Sequence, residues 1–370
     1  MKKNSYHKTY LQVFFIIFLI ISTSVLFVNF NVDPSKIYPE KFKVLNDKKL
    51  NVNEVVDKLV KNKNGVILQE GLFNDRDLAK SFTKNINKVD CIIFGASHVR
   101  PINLEGKEKV FSTTCKSILN FGISGGVLED YIALSKNINL KNKKRKKIFI
   151  SIHPWTLNLN KDNRWYRNID DYNFIIKKIT NSNEEKMKKN LYNNLRIKNL
   201  FNFNYFVQSL KNIKEKNNSL SFINNLNKKQ KLPILLYDGS IIKPDRKFLN
   251  PKSFIEKGFA NYKIEKNSHI DENAVFILTQ YIKYFEKNFD IIFLLSPYHP
   301  EVWKNDYLIV VEAMMVVEKR AKEIAKENKI NVIGSFDPRK LGCNESEFFD
   351  LLHPKKSCLS KIEKLRLNFK

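Results

Sequence analysis

Nothing in the sequence equips the chain for metal or nucleotide chemistry. Its 370 residues include four cysteines (Cys91, Cys115, Cys343 and Cys358) and six histidines. No Cys-x-x-Cys occurs and the cysteines lack histidine neighbours at ligand spacing, so a zinc site has little support. No Gly-x-Gly-x-x-Gly or Walker pattern follows a strand-like run, which argues against a nucleotide cofactor. The expectation is a site that works without metal or cofactor. Acidic residues are also few: 38 Asp and Glu stand against 65 Lys and Arg, a formal net charge of +27. The lysines are spread along the chain and mixed with asparagine, with Lys141 to Lys147 the only dense cluster. That distribution reads as a solvated surface, or as attraction toward an anionic lipid or acidic glycan. Nucleic acid is not expected as a partner of the exported body described next.

Charge is absent altogether from Leu11 to Phe30, and about twenty apolar residues span a bilayer. A transmembrane helix at 11–30 is therefore expected. Lys2, Lys3 and Lys8 precede it. The positive-inside bias then puts residues 1–10 in the cytoplasm and the body outside the inner or plasma membrane, as a single-pass protein. Ser22-Thr23-Ser24 offers small residues for a cleaved signal peptide instead, yet Val25-Leu26-Phe27-Val28 carries the apolar run past that point. Either reading exports the body, where an even number of cysteines permits disulfides in three connectivities. Cys343 and Cys358 bracket Asp350 and His353, and a bridge between them would brace the loop carrying that pair.

Residues 31–90 read as a membrane-proximal stalk passing into short helices, with Val55, Val56, Leu59 and Val60 as one helical stripe. From residue 91 the pattern changes. Strand-like runs stand at 91–94, 117–121, 147–152, 291–295 and 330–333, several of them continuously apolar, as in strands buried on both faces. Between them, residues recur at helical spacing: Val127, Tyr131, Leu134 and Ile138, then Ala274, Leu278, Tyr281 and Phe285, then Val310, Met314, Val317, Ala321 and Ile324. The alternation predicts an α/β domain at 91–370, with five parallel strands and helices on both faces. Residues 160–270 break the rhythm. They are rich in Asn and Lys, contain a turn at Asp238-Gly239-Ser240, and read as an insertion or cap.

In such a sheet the ligand crevice lies beyond the carboxyl ends of the strands. Each unusual polar motif falls at one of those ends: Gly95-Ala96-Ser97, Ser124-Gly125-Gly126, His153-Pro154-Trp155, Ser296-Pro297-Tyr298-His299-Pro300 and Asp350-Leu351-Leu352-His353. A serine on a Gly-x-Ser turn, matched to a late Asp-x-x-His, supplies a nucleophile, a base and a group that orients the base. These residues resemble the SGNH (GDSL-like) hydrolases, and among them membrane-anchored members related to acyl esterases and O-acetyltransferases of cell-surface polysaccharides. The resemblance covers roughly residues 90–160 and 290–358. It implies a three-layer, flavodoxin-like α/β fold with Ser97 as nucleophile, His353 as general base and Asp350 as its orienter. It also implies the N–H groups of Ser97 and Gly125 as oxyanion donors. The family's third block usually offers an asparagine as a further donor; this chain reads His153-Pro154-Trp155-Thr156-Leu157-Asn158, with Asn158 as the substitute. Losing one such donor costs about 10²–10³ in rate, so the departure bears on full activity.

Around these residues, Arg100 is placed to hold an anionic substrate group or to sit in solvent. Trp155, with Arg164 and Trp165, is a candidate sugar-stacking platform, or part of a set of aromatics buried under the cap. His299 is a candidate substrate contact and the rival base, although no acidic residue is spaced to orient it. His98, next to the nucleophile, reads as a surface or capping residue. The function expected is a membrane-anchored extracytoplasmic enzyme that removes or transfers an acyl group, acetyl above all, on a cell-envelope glycan or acylated polymer. As a transferase it needs an acyl donor delivered by a multi-spanning membrane partner, since one helix makes no channel. Two other readings stand beside it: a glycan-binding or assembly protein on the same fold without chemistry, and an esterase that cleaves membrane lipid.

Overall fold

The computed structural model describes residues 3–33, 38, 51–68, 73–106, 108–140, 146–180, 193–194, 196–214, 220–224, 231–244, 270–304 and 308–369. Residues 141–145 of the lysine cluster, 39–50 of the expected stalk and 245–269 of the expected cap lie outside them. The chain forms two compact units, one of residues 1–50, 70–74 and 184–219, the other of 51–69, 75–183 and 220–370. In chain order the elements are α1 (Lys3–Val32), α2 (Val52–Asn62), β1 (Gly65–Ile67), α3 (Asp75–Phe82), β2 (Cys91–Ala96), β3 (Ile118–Ile123), α4 (Leu128–Leu134), β4 (Lys146–Ile152), α5 (Ile169–Thr180), α6 (Phe203–Lys214), β5 (Phe222–Ile223), β6 (Ile234–Leu236), β7 (Ile241–Ile242), α7 (Glu272–Phe285), β8 (Phe289–Leu295), α8 (Leu308–Glu327), β9 (Asn331–Gly334) and β10 (Arg366–Leu367).

In the first unit α1 runs for 30 residues, uninterrupted because no Gly or Pro occurs before Pro34. Its stretch His7–Val32 is long and apolar enough to cross a membrane, with a mean hydropathy of 2.6. The apolar side chains from Tyr10 to Ile21 are exposed, as lipid-facing side chains are. At its far end α1 turns polar, and α6 packs against it.

The second unit is built on a six-stranded sheet in the order β10-β9-β8-β4-β2-β3. Neighbouring pairs from β9 to β3 are parallel, and β10 adds an antiparallel edge to β9. The five parallel strands are those read from the apolar runs. Taken in chain order they stand as 2-1-3-4-5, so the strand order reverses between β2 and β4, where a ligand crevice is expected. The register aligns their ends: Ala96 pairs with Ile123, Phe94 with Ile150, and Ile152 with Leu295, which in turn pairs with Gly334. Ser97, Ser124, His153 and Ser296 therefore leave the sheet at one level.

Side chains alternate between the sheet's two faces. Phe94 turns toward the helices and stacks on Tyr131 of α4 at 6.3 Å. Cys91, Ile93, Phe149, Ile292, Leu294 and Ile333 turn the other way and pack against residues between Val99 and Ile118 and between Leu341 and Ile362. Helices were expected on both faces; this second face is covered by turns and short helical segments instead. Two disulfides, Cys91–Cys115 and Cys343–Cys358, cross-link that covering, and all four cysteines are buried in its core. Irregular backbone loses more freedom on folding per hydrogen bond gained, and a cross-link offsets part of that loss.

A second, antiparallel sheet, β5-β1-β6-β7, has strands too short to show a period in the sequence. Its β6–β7 hairpin turns at Asp238-Gly239-Ser240, as expected. Gly239 has φ +81°, and a Cβ there would lie 2.4 Å from the Asn120 carbonyl oxygen, so only glycine fits. The hairpin docks on β3 through the Asn120 N–H, which donates to the Asp238 carbonyl at 2.7 Å, and the Ile241 N–H donates to the Arg100 carbonyl at 2.8 Å. The stretch read as one insertion is thus divided between the two units.

Candidate active site

β2 is buried along its whole length and ends directly in a short 3-10 segment, Ser97–Val99. Ser97 Oγ lies 2.7 Å from His353 Nε2, and His353 Nδ1 lies 2.8 Å from both carboxylate oxygens of Asp350. Asp350 Oδ1 also accepts the backbone N–H groups of Leu352 at 2.9 Å and His353 at 2.8 Å, so the Asp-x-x-His turn folds around its own carboxylate. The Phe349 N–H donates to the His353 carbonyl, and the His299 N–H to the Leu351 carbonyl. With Nδ1–H held by the carboxylate, Nε2 is the nitrogen that accepts the Ser97 hydroxyl proton. Burial lowers the His353 pKa and the Lys243 ammonium pushes it the same way, against the pull of Asp350. Burial alone would raise the Asp350 pKa, but His353 and Lys243 hold it below the usual carboxylate range. The line is set with a neutral imidazole and a charged carboxylate.

The loop after β3 lies against this line. A Cβ on Gly126 would stand 2.8 Å from the Gly95 carbonyl oxygen and 3.2 Å from Ala96 Cα, so glycine lets the loop touch the backbone just before Ser97. Its N–H groups can be accounted for one by one. Ser124 donates to Asp75 at 3.2 Å, Gly126 to the Ile123 carbonyl at 3.1 Å and Val127 to Asp130 at 3.2 Å. The N–H groups of Gly125 and Ser97 meet no acceptor among the described residues. Arg164 donates to the Ser124 carbonyl at 3.0 Å. In a trans peptide the C=O and the following N–H point opposite ways, so this grip sets the direction of the Gly125 N–H. Asp162 holds the Arg164 guanidinium at 2.9 Å. Trp155 Nε1 fastens the Gly126 carbonyl at 2.9 Å.

Beneath Ser97 lies a packed group of rings. His98 is 1% exposed, and its ring centroid lies 4.6 Å from His153, 5.1 Å from His353 and 5.0 Å from Tyr298. Burial holds His98 well below the ordinary imidazole range and brings His153 to about 3, so both stay neutral beside His353. His153 Nε2 accepts the Ala96 N–H at 3.1 Å, which pins the residue before Ser97. Among the described residues no group of His, Cys, Asp and Glu is arranged to hold a metal ion.

Several expectations change here. His98 is a core residue, because it is walled in by His153, Trp155 and Tyr298. Of the two readings of the tryptophans, burial holds: Trp155 is 2% exposed and Trp165 fully buried, so neither offers a face to a sugar. Arg100 donates to the Gly122 carbonyl at 3.0 Å and pairs with Asp75, which commits its guanidinium to the loop and not to a substrate anion. His299 accepts the Glu301 N–H at 3.0 Å as the cap of a short helix; its partners buttress the Asp350 turn. Asn158 closes a turn onto the Trp155 carbonyl and makes no described contact with Ser97 or His353. The place after β4 is taken by His153, an acceptor where a donor was sought. Asp75 carries no sequence signal for its role. Arg164 carries one only in hindsight, through Asp162 two residues before it. No family model, curated protein or solved structure matches the chain.

Proposed function

We propose that this chain is a membrane-anchored serine acyl-esterase or O-acyltransferase of SGNH type, acting outside the cytoplasm on an acylated cell-envelope glycan. The observation that carries the reading is the Ser97–His353–Asp350 line at the reversal of strand order, beside a loop that keeps the Gly125 N–H without an acceptor. The strand order 2-1-3-4-5 supports a flavodoxin-like reading, in which ligands bind at such a reversal.

In this reading Ser97 Oγ attacks the ester carbonyl while its proton passes to His353 Nε2, and Asp350 stabilises the imidazolium through Nδ1–H. The N–H groups of Ser97 and Gly125 receive the oxyanion. Collapse expels the sugar oxygen, which takes the proton from His353 and leaves an acyl-serine. Water then hydrolyses the acyl-serine and makes the protein an esterase; as a transferase, Ser97 is acylated instead from a donor presented by a multi-spanning partner, the donor's leaving group takes the proton from His353, and a sugar hydroxyl then accepts the acyl group. A cavity of about 330 Å³ lined by Pro101, Asn103, Glu105, Lys243 and Phe349 adjoins the Asp350 turn. Phe349 carries the ammonium groups of Lys243 and Lys355 within 5.8 Å of its ring centre, a surface suited to a sugar bearing negative charge.

The test is fluorophosphonate labelling of the full detergent-solubilised chain together with acetyl release from, or transfer to, an acetylated envelope glycan. Labelling at Ser97 with turnover, both lost in Ser97→Ala, is expected. A chain that binds the glycan but neither labels nor turns it over is a binding protein, and the proposal falls.

A further inference from the structure

We propose that the segment from Ile197 to Leu210 is a second membrane contact, lying in the headgroup layer beside the end of α1. The segment is built inside out. Ile197, Phe201, Phe203, Val207 and Leu210 are exposed, Phe201 and Phe203 at 68% each. Ile197 and Phe201 are four residues apart, and Phe203, Val207 and Leu210 follow at i, i+4 and i+7, which is one face of a helix. On the side toward α1, beside a small cluster of Phe30, Tyr38, Leu200 and Tyr205, buried polar groups are paired: the Tyr205 hydroxyl donates to Asp33 at 2.6 Å, and the Ser209 hydroxyl to Asn29 at 3.4 Å. A surface helix of a water-soluble protein does the reverse, turning its apolar stripe inward and its polar face out.

What covers the stripe follows from where it sits. The Asn29 side-chain amide donates to the carbonyls of Asn199, Leu200 and Asn202, at 3.2, 2.9 and 3.2 Å. Asn29 is fully buried, and Phe27, two residues earlier, is still 48% exposed on the apolar surface of α1. Two residues of helix rise about 3 Å. The segment is therefore tied to α1 at the level where its exposed apolar surface ends, which puts its own exposed apolar stripe next to that surface. Polar groups that grip backbone carbonyls at this level remove the cost of bringing them near hydrocarbon. Lys198 is exposed beside the stripe, and a lysine in the headgroup layer meets anionic phosphate. An in-plane helix with its apolar side sunk about 5–10 Å into the interface satisfies each of these features. The anchor then becomes a two-point attachment, which fixes the tilt of α1 more firmly than a single span.

The native cysteines are all paired, so an added cysteine is a unique labelling site. Full-length Phe201→Cys, Phe203→Cys, Leu210→Cys and, on another face of α6, Gln208→Cys are each labelled with a nitrobenzoxadiazole dye. They are reconstituted in phosphatidylethanolamine–phosphatidylglycerol vesicles, with and without lipid carrying a nitroxide at acyl carbon 5. Blue-shifted emission at 201, 203 and 210, quenched by the nitroxide lipid at least about twofold more than at 208, is expected for side chains at the interface. Water-like emission at all four positions overturns the proposal. Blue-shifted emission without nitroxide quenching also overturns it, since protein and not lipid would then cover the stripe.

Discussion

Replacing Gly126 by alanine tests the proposed oxyanion role of the loop after β3 at the point where geometry leaves least room. The new Cβ would lie 2.8 Å from the Gly95 carbonyl oxygen and within 3.3 Å of two further backbone atoms, where ordinary contact begins near 3.4 Å. All three neighbours belong to β2, which is buried along its length and paired with β3 at Gly95 and Ala96, so the loop gives way before the strand. The loop must draw back by roughly 0.6 Å, a strain of about 1–3 kcal/mol by the usual cost of overpacking. The same retreat carries the Gly125 N–H away from the oxyanion. A misplacement of about 1 Å costs on the order of 10² in rate, so kcat on p-nitrophenyl acetate should fall by about 10- to 100-fold, with little change in KM. Gly342→Ala is the control: φ is +64° there with nothing within 4 Å, so it should lower the melting temperature and leave kcat alone. A Gly126→Ala protein that turns over at the parent rate would refute that role.

Ser97→Ala and His353→Ala should each lower turnover by at least about a thousandfold, and the double variant should be scarcely worse, because the pair acts as a unit; additive losses in steady-state kinetics would separate the two residues. Arg164→Ala should lower kcat by about tenfold or more by freeing the Ser124–Gly125 peptide, with Arg164→Lys partly restoring it; a change confined to KM would make Arg164 a substrate contact instead. His353 must be neutral to accept a proton, so activity is lost as pH falls through its pKa. Because that pKa is lowered, the acid limb of kcat/KM should lie below about 6.5. Lys243→Gln removes a cation and should move the limb upward, and a downward move would contradict the assignment. Serine at both Cys343 and Cys358 should cost about 3 kcal/mol of stability in the chain-entropy model for a loop of this size, read by denaturant unfolding; equal midpoints for parent and variant would argue against a braced loop.

The five parallel strands could be read from the chain because each is a mostly apolar run, several of them continuously so, alternating with helical stripes, and α1 because it lacks charge over twenty residues. Asp350 and His353 could be paired because they lie three apart, so the turn that joins them also brings them into contact. Ser97 and His353, 256 positions apart, are paired by the order of motifs in the family they resemble and by their place at one edge of a parallel sheet, where strand ends collect. What the chain could not disclose was which side chains hold those groups in place. Trp155, Arg100 and His299 look like substrate contacts in one dimension, yet Trp155 Nε1, Arg100 Nε and His299 Nδ1 hold the backbone of Gly126, Gly122 and Glu301. His98 looks solvent-facing until His153 and Tyr298 close around it, and the polar inner face of α6 has no partner until Asn29 and Asp33 reach it. Local spacing and burial over a run of residues are properties of the sequence itself; which donor meets which acceptor depends on distances between segments far apart in the chain, and only the folded structure decides those.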